Sequence, residues 1–151
     1  MYHSMKTLLQ RVSSATVSVN GQIVGSIHKG LLVFFCAVKG DGEQDLDYTV
    51  KKISQMRIFE DEQGKMNRSI TDVAGEVLVV SQFTLAASTR KGNRPSFEEA
   101  EAPDQAKAIY EDAVRRLRER GIPVQTGVFA AMMEVALVND GPVTIWIDSR
   151  Q

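Results

Sequence analysis

The run Leu31–Val38, Leu-Leu-Val-Phe-Phe-Cys-Ala-Val, is apolar without interruption and is closed by Lys39-Gly40-Asp41-Gly42. It is too short for a membrane span, which needs roughly 20 apolar residues. Its lack of polar alternation instead suits a strand covered on both faces, at the centre of a sheet. A second stretch, Glu76–Leu85, carries Val77-Leu78-Val79-Val80 into the polar pair Ser81-Gln82. It reads as a core strand whose C-terminal end emerges at a surface or cleft. Around these two, Met5–Val12, Ala15–Val19 and Gln22–Ile27 read as strands, with Asn20-Gly21 as a tight turn between the last two. Arg57–Glu60 reads as a short strand before a turn at Gly64. Val135, Leu137, Val143, Ile145 and Ile147 alternate about Asp140-Gly141-Pro142, which predicts two closing strands joined by a turn.

Helical spacing occurs twice. Leu46, Val50, Ile53 and Met56 predict an amphipathic helix over about Gln44–Met56. Pro103 fits the first turn of the second, where its missing N–H costs nothing, and Ala106, Ile109, Tyr110, Ala113, Val114 and Leu117 line one face. Gly121 and Pro123 stop it. Glu111 with Arg115 and Asp112 with Arg116 stand at i,i+4, a spacing typical of a solvated face.

With 151 residues, the chain is expected to form one domain over residues 1–151, large enough to bury roughly 70% of its unfolded surface. The first residues lack the apolar stretch and cleavage site of a secretory signal, and a single cysteine makes no internal disulfide, so the cytoplasm is the expected compartment, with no membrane partner. Eighteen basic and nineteen acidic residues give a net charge of −1. The electrostatic footprint of a protein that coats duplex nucleic acid is therefore missing, and any RNA contact must be local.

The chemistry-bearing inventory is small. His3 and His28 have no context suggesting a catalytic base and read as surface residues. With only these and Cys36, no structural-zinc spacing exists, and neither metal nor cofactor is expected. Phosphate-binding glycine loops and the GxSxG elbow are missing too. Cys36, in the middle of the apolar run, reads as inert packing. Two segments remain. One is Ser81-Gln82-Phe83-Thr84-Leu85 with the polar connection Ala86–Ala102, which holds Arg90, Lys91 and Arg94; so long a connection is functional about as often as it is a plain excursion. The other is Asn139-Asp140-Gly141-Pro142-Val143-Thr144, whose Asp-Gly alone justifies only a turn.

Together and in this order, Val79–Leu85 and Val138–Thr144 resemble the two signature motifs of the D-aminoacyl-tRNA deacylases. Leu9-Gln10-Arg11-Val12, Arg57-Ile58-Phe59, Gly64-Lys65-Met66-Asn67, Arg94-Pro95-Ser96-Phe97 and Gln125-Thr126-Gly127 resemble further landmarks, so the likeness runs from Met5 to Asp148. Met1–Ser4 reads as an extension ahead of it. The resemblance implies a three-layer α/β/β fold with mixed and antiparallel sheets, a barrel-like core and two packing helices. It also implies a homodimer with its active site at the subunit interface.

By the same resemblance, the reaction is hydrolysis of the ester of D-aminoacyl-tRNA, and of glycine mischarged on tRNA-Ala, at the 3′ CCA end. Gly141 and Pro142, a cis pair in the family, would enter the partner's pocket as a backbone wall that collides with an L side chain and admits hydrogen or a D side chain. Thr84 is either a nucleophile, which needs a base this chain does not obviously offer, or an ester-positioning residue in a reaction driven by the 2′-hydroxyl of the terminal adenosine. In the second case, backbone N–H groups near Phe83 and Thr84 would hold the oxyanion. Ser81 and Gln82 are candidates for polar contacts to the adenosine or ester, and Phe83 for the adenine pocket. Arg11 is a candidate near the site entrance, or else a surface salt bridge. Arg90, Lys91 and Arg94 form a candidate phosphate patch.

Four positions depart from the family pattern: Ser88 and Met132 stand where acidic residues are expected, and Cys36 and Ala136 replace a glycine and a serine. The alternatives are a non-catalytic dimeric module that binds an RNA end or an amino acid, and a structural dimer with a vestigial site.

Overall fold

The computed structural model describes residues 4–150. Eight strands, β1 (Lys6–Val19), β2 (Gln22–Ile27), β3 (Gly30–Cys36), β4 (Phe59–Glu60), β5 (Met66–Arg68), β6 (Glu76–Ser81), β7 (Val124–Thr126) and β8 (Glu134–Asp148), combine with helices α1 (Glu43–Gln55) and α2 (Pro103–Glu119) and a short 3₁₀ turn at Phe83–Ala86.

The two apolar runs are adjacent central strands. β3 and β6 pair in parallel from Gly30↔Glu76 to Phe35↔Ser81, and their alternation sorts side chains between two cores. Leu31, Val33, Phe35, Val77 and Val79 face α1 and α2, meeting Leu46, Val50, Ile53, Tyr110, Ala113 and Leu117. Leu32, Leu78 and Val80 point the other way, onto Val12, Ala15, Val17 and Ile27. Two cores separated by one sheet give the three layers α/β/β. The sheet order is β2-β1-β3-β6-β7, with β8 on β1. It nearly closes into a barrel where β2 approaches β7, so that a Cβ on Gly25 would stand 2.7 Å from the Thr126 carbonyl oxygen.

Three expectations on strands need correction. Met5–Val12 and Ala15–Val19 are one strand, β1, whose first half pairs with β3 and whose second half pairs with β2. The closing segment is likewise one strand rather than a hairpin. Both halves of β8 pair antiparallel with β1, and the ladder jumps from Gln10↔Thr144 to Val12↔Asn139. A hairpin would turn the chain back on itself; here Asp140–Val143 bulges out and the strand resumes on the same partner. β3 ends at Cys36 and β6 at Ser81, both earlier than the apolar patterns suggest: past Cys36 the chain pairs with Glu99–Glu101 instead of its strand neighbours, and past β6 Phe83–Ala86 coils into the 3₁₀ turn. β7 had no clear signal in so short a segment.

The helices match closely. Pro103 opens α2, and Gly121, at φ 82°, ends it. Its N–H donates to the Arg118 carbonyl at 2.9 Å while that of Ile122 donates to Leu117 at 3.4 Å, the Schellman pattern. The Glu111–Arg115 pair does not form; Arg115 instead takes Asp112 and Glu119, and Arg116 reaches Glu43 and Asp47 of α1. Among the described residues no helix is long and apolar enough to cross a membrane. His28 is exposed, whereas His3 lies outside the described residues.

Candidate functional site

The parallel ladder delivers the C-terminal ends of β3 and β6 to one place, and there a cleft of about 630 Å³ opens. Ser81, Gln82, Phe83 and Thr84 line one side. The ladder is prolonged by the Gln82 N–H donating to the Phe35 carbonyl at 2.8 Å, after which the chain turns. The first N–H groups of a helical turn have no acceptor within it, and here they belong to Phe83 and Thr84. The Gln82 side-chain amide donates to the Thr84 hydroxyl oxygen. Phe83 is 57% exposed and meets Phe97 edge-on, 5.2 Å between centroids.

The Ala86–Ala102 connection is held in place. Ser88 and Ser96 exchange backbone hydrogen bonds of 2.7 and 2.9 Å, and the Glu101 N–H donates to Ala37 at 3.1 Å. Ala100 and Glu101 thereby become a second wall, and Phe129–Met133 form the third. Sequence reasoning missed that third wall. Its signal is slight, although Ala130 at φ 64° is an L residue in a conformation that favours glycine. Met132, where an acid was expected, is 91% exposed at the rim.

Cys36 is the last residue of its strand rather than a central one, and it borders the cleft. Burial pushes its thiol up to about 11, so at neutral pH it is not the thiolate a nucleophile requires. It donates weakly to the Ala37 and Phe83 carbonyls, at 3.6 and 3.7 Å. Tyr110, behind the cleft, donates to the Val79 carbonyl at 3.0 Å, and burial pushes its phenol up to about 12. Among the described residues no three His, Cys, Asp or Glu side chains are grouped to hold a metal ion.

Arg11, Gly141 and Pro142 form a separate cluster that does not line this cleft. Arg11 does form ion pairs, but from a buried position rather than on the surface: it is 5% exposed. Its Nε donates to the Asp140 carbonyl at 3.1 Å and its Nη1 to the Ile58 carbonyl at 2.8 Å. The carboxylates of Asp140 and Glu60 stand 3.4 and 3.7 Å away. Asn139 closes the bulge, accepting from the Val143 N–H at 3.0 Å and donating to Thr144 at 2.9 Å. Gly141-Pro142 is a cis peptide, and both residues are exposed on the bulge.

The family model for D-Tyr-tRNA(Tyr) deacylase matches residues 8–148, which include both the cleft and the bulge. The chain belongs to the D-Tyr-tRNA(Tyr) deacylase family. Proteins named D-aminoacyl-tRNA deacylase from Ruegeria sp. (strain TM1040) and Aquifex aeolicus (strain VF5) are each 54% identical to it, over 96% and 97% of the chain and 93% and 99% of their own lengths. A solved structure described as c-Myc DNA Unwinding Element Binding Protein is 39% identical and superposes with a TM-score of 0.89, covering 94% of this chain and 97% of that one. A probable eukaryotic D-amino acid tRNA deacylase, 19% identical, shares the fold at a TM-score of 0.82 over 96% of this chain and 99% of its own. In this deacylase-family chain the departures at Cys36 and Met132 lie on the cleft, Ser88 in the tied connection, and Ala136 opposite Thr16 on β8.

Proposed function

We propose that the chain hydrolyses the ester bond of D-aminoacyl-tRNA, releasing the free D-amino acid and tRNA. The observation that carries this reading is the largely apolar cleft at the end of β6, walled by Ser81-Gln82-Phe83-Thr84, in a chain of this family. Ser81 and Gln82 contact the terminal adenosine or the ester, and Phe83 shapes the adenine pocket. The working unit is a homodimer. Gly141 and Pro142 are exposed and lie apart from their own chain's cleft, which suits delivery to a second copy's cleft, and Val138 and Trp146 expose apolar surface on the same strand. Arg11, tied to the Asp140 carbonyl, holds the bulge in position.

The bulge then acts by exclusion. A rigid backbone beside the substrate's alpha carbon rejects L side chains and tolerates hydrogen or D side chains, so glycine mischarged on tRNA-Ala is also a substrate. This is chiral proofreading in translation. The Thr84 hydroxyl receives a hydrogen bond from an amide, which is a donor and not a base. That supports a reaction assisted by the substrate's 2′-hydroxyl, with the Phe83 and Thr84 N–H groups holding the oxyanion.

Two experiments test the reading. Incubated with D-tyrosyl-tRNA and separately with L-tyrosyl-tRNA, the protein is expected to release only the D-amino acid faster than an enzyme-free control. Binding of both charged tRNAs without hydrolysis would return the chain to the non-catalytic module. Thr84→Ala is expected to retain a measurable part of kcat, falling about tenfold, the scale of losing one positioning hydrogen bond at roughly 1.4 kcal/mol. Complete loss in a folded, tRNA-binding variant would make Thr84 the nucleophile.

A further inference from the structure

A second cleft, about 500 Å³, runs along α2 and adjoins the first: Phe129 lines both, while α2 contributes Pro103 and Ala106 to one and Lys107, Tyr110, Glu111, Arg115 and Arg118 to the other. Its charge is unlike that of the whole chain, which carries −1. Three cations and one carboxylate face it. Arg115 is neutralised by Asp112 and Glu119, but Lys107 and Arg118 have no ion-pair partner among the described residues. Arg118 is also anchored, since its Nη2 donates to the Val124 carbonyl at 2.9 Å. That uses one of five guanidinium donors and leaves the rest for a ligand. Lys107 and Arg118 are eleven residues apart on one helix, roughly 16 Å, a span that accommodates several nucleotides. Phe129, packed on Tyr110 with centroids 5.8 Å apart, offers an aromatic surface between the clefts. A cationic groove with an aromatic side chain is what binds single-stranded nucleic acid without reading its sequence.

We infer that this α2 groove holds the phosphodiester backbone of the RNA strand leading to the terminal adenosine, with Lys107 and Arg118 as its phosphate contacts. The inference rests on the deacylase reading of the first cleft. It places the strand along α2 rather than across Arg90, Lys91 and Arg94. Glu111 lies in the same groove and limits the attraction, so binding is expected to be modest and strongly salt-dependent.

The test is binding, which does not require turnover. A fluorescent acceptor-stem hairpin ending in single-stranded CCA is titrated with wild type, with Lys107→Ala/Arg118→Gln and with Arg90→Ala/Lys91→Ala/Arg94→Ala, at several salt concentrations. The groove variant is expected to weaken Kd about tenfold and to flatten the slope of log Kd against log salt by roughly 1.4, about 0.7 per lost phosphate contact on a single strand. Should Arg118→Gln lower stability, Lys107→Glu alone changes an exposed side chain and is expected to weaken Kd at least about threefold. Unchanged Kd and slope in the groove variants, or a loss confined to the loop variant, overturns the inference. Wild type that binds the hairpin with the expected salt dependence but does not hydrolyse D-tyrosyl-tRNA would instead sink the deacylase reading and leave the groove standing.

Discussion

Gly141→Ala is expected to lower kcat/KM for D-tyrosyl-tRNA at least about a hundredfold, roughly 2.7 kcal/mol of transition-state stabilisation, while the protein stays folded. Gly141 has φ +133°, where L side chains are strained whatever the space around them. An added Cβ would also stand 2.8 Å from a Val143 methyl, 2.9 Å from the Val143 nitrogen and 3.2 Å from Arg11 Nη2. Those neighbours are the bulge's own supports: the Val143 N–H is the donor to Asn139, and Arg11 holds the Asp140 carbonyl. The alanine therefore pushes on both fastenings at once, and the backbone wall that we propose enters a second copy's cleft moves by a fraction of an ångström or more. Misplacement on that scale is costly to catalysis. Stability suffers less because the bulge is exposed, with a cost of about 1–2 kcal/mol for the backbone. Steady-state kinetics beside thermal melting and sedimentation separate the two effects. A variant that keeps the wild-type sedimentation behaviour and more than a third of the wild-type kcat/KM would remove Gly141 from the proposed site.

The contrast between the two motifs shows what sequence can carry. Val77–Val80 followed by Ser81-Gln82 announces its place, because an apolar strand that turns polar at its end must surface there, and the structure opens its main cleft at that end. Asn139–Val143 misleads. Asp-Gly is shared by hairpin turns and bulges, and the choice between them is made by β1, more than a hundred residues away, which is long enough to pair with both halves of β8. Arg11 is ambiguous for a related reason. A charged residue in a strand is ordinarily exposed, and the groups that make its burial tolerable, the carbonyls of Ile58 and Asp140 and the carboxylates of Asp140 and Glu60, are brought in from distant segments. The periodic elements, α1 and α2, are legible because their signal is local. The third wall of the cleft, Phe129–Met133, has no periodicity, and its position follows from packing at its two ends, Phe129 on Tyr110 of α2 and Met133 on the core around Val12, Val17 and Ile27. The exposed Gly141-Pro142 pair becomes a candidate site only through the family likeness, since nothing in one chain brings it to Ser81–Thr84.

Gly30→Ala is expected to be the most destabilising single-methyl change in the β3–β6 ladder, by about 3–4 kcal/mol, in the range reached only when overpacking cannot be relieved. Beside Lys29 in the sequence, Gly30 suggests a turn, yet its φ is not in the left-handed region and its role is different. It is buried between two partners, opposite Val12 on β1 and Glu76 on β6. A Cβ there would fall 1.8 Å from the Glu76 carbonyl oxygen and within 2.9 Å of its nitrogen. The obstacle is backbone, so no side chain can rotate away. β3 and β6 would have to part at the first rung of the ladder whose last rung, Phe35↔Ser81, positions the cleft. The damage should therefore reach function as well as stability. For a chain of this size the stability loss corresponds to a melting temperature lowered by roughly 10 °C. Gly42→Ala is the comparison: an added Cβ there meets nothing, φ is −125°, and the change should stay within about 1 kcal/mol, the cost of a poorer N-cap. If the two alanine variants melt together, the approach of β3 to β6 is looser than 1.8 Å implies, and the ladder does not fix the cleft in the way argued.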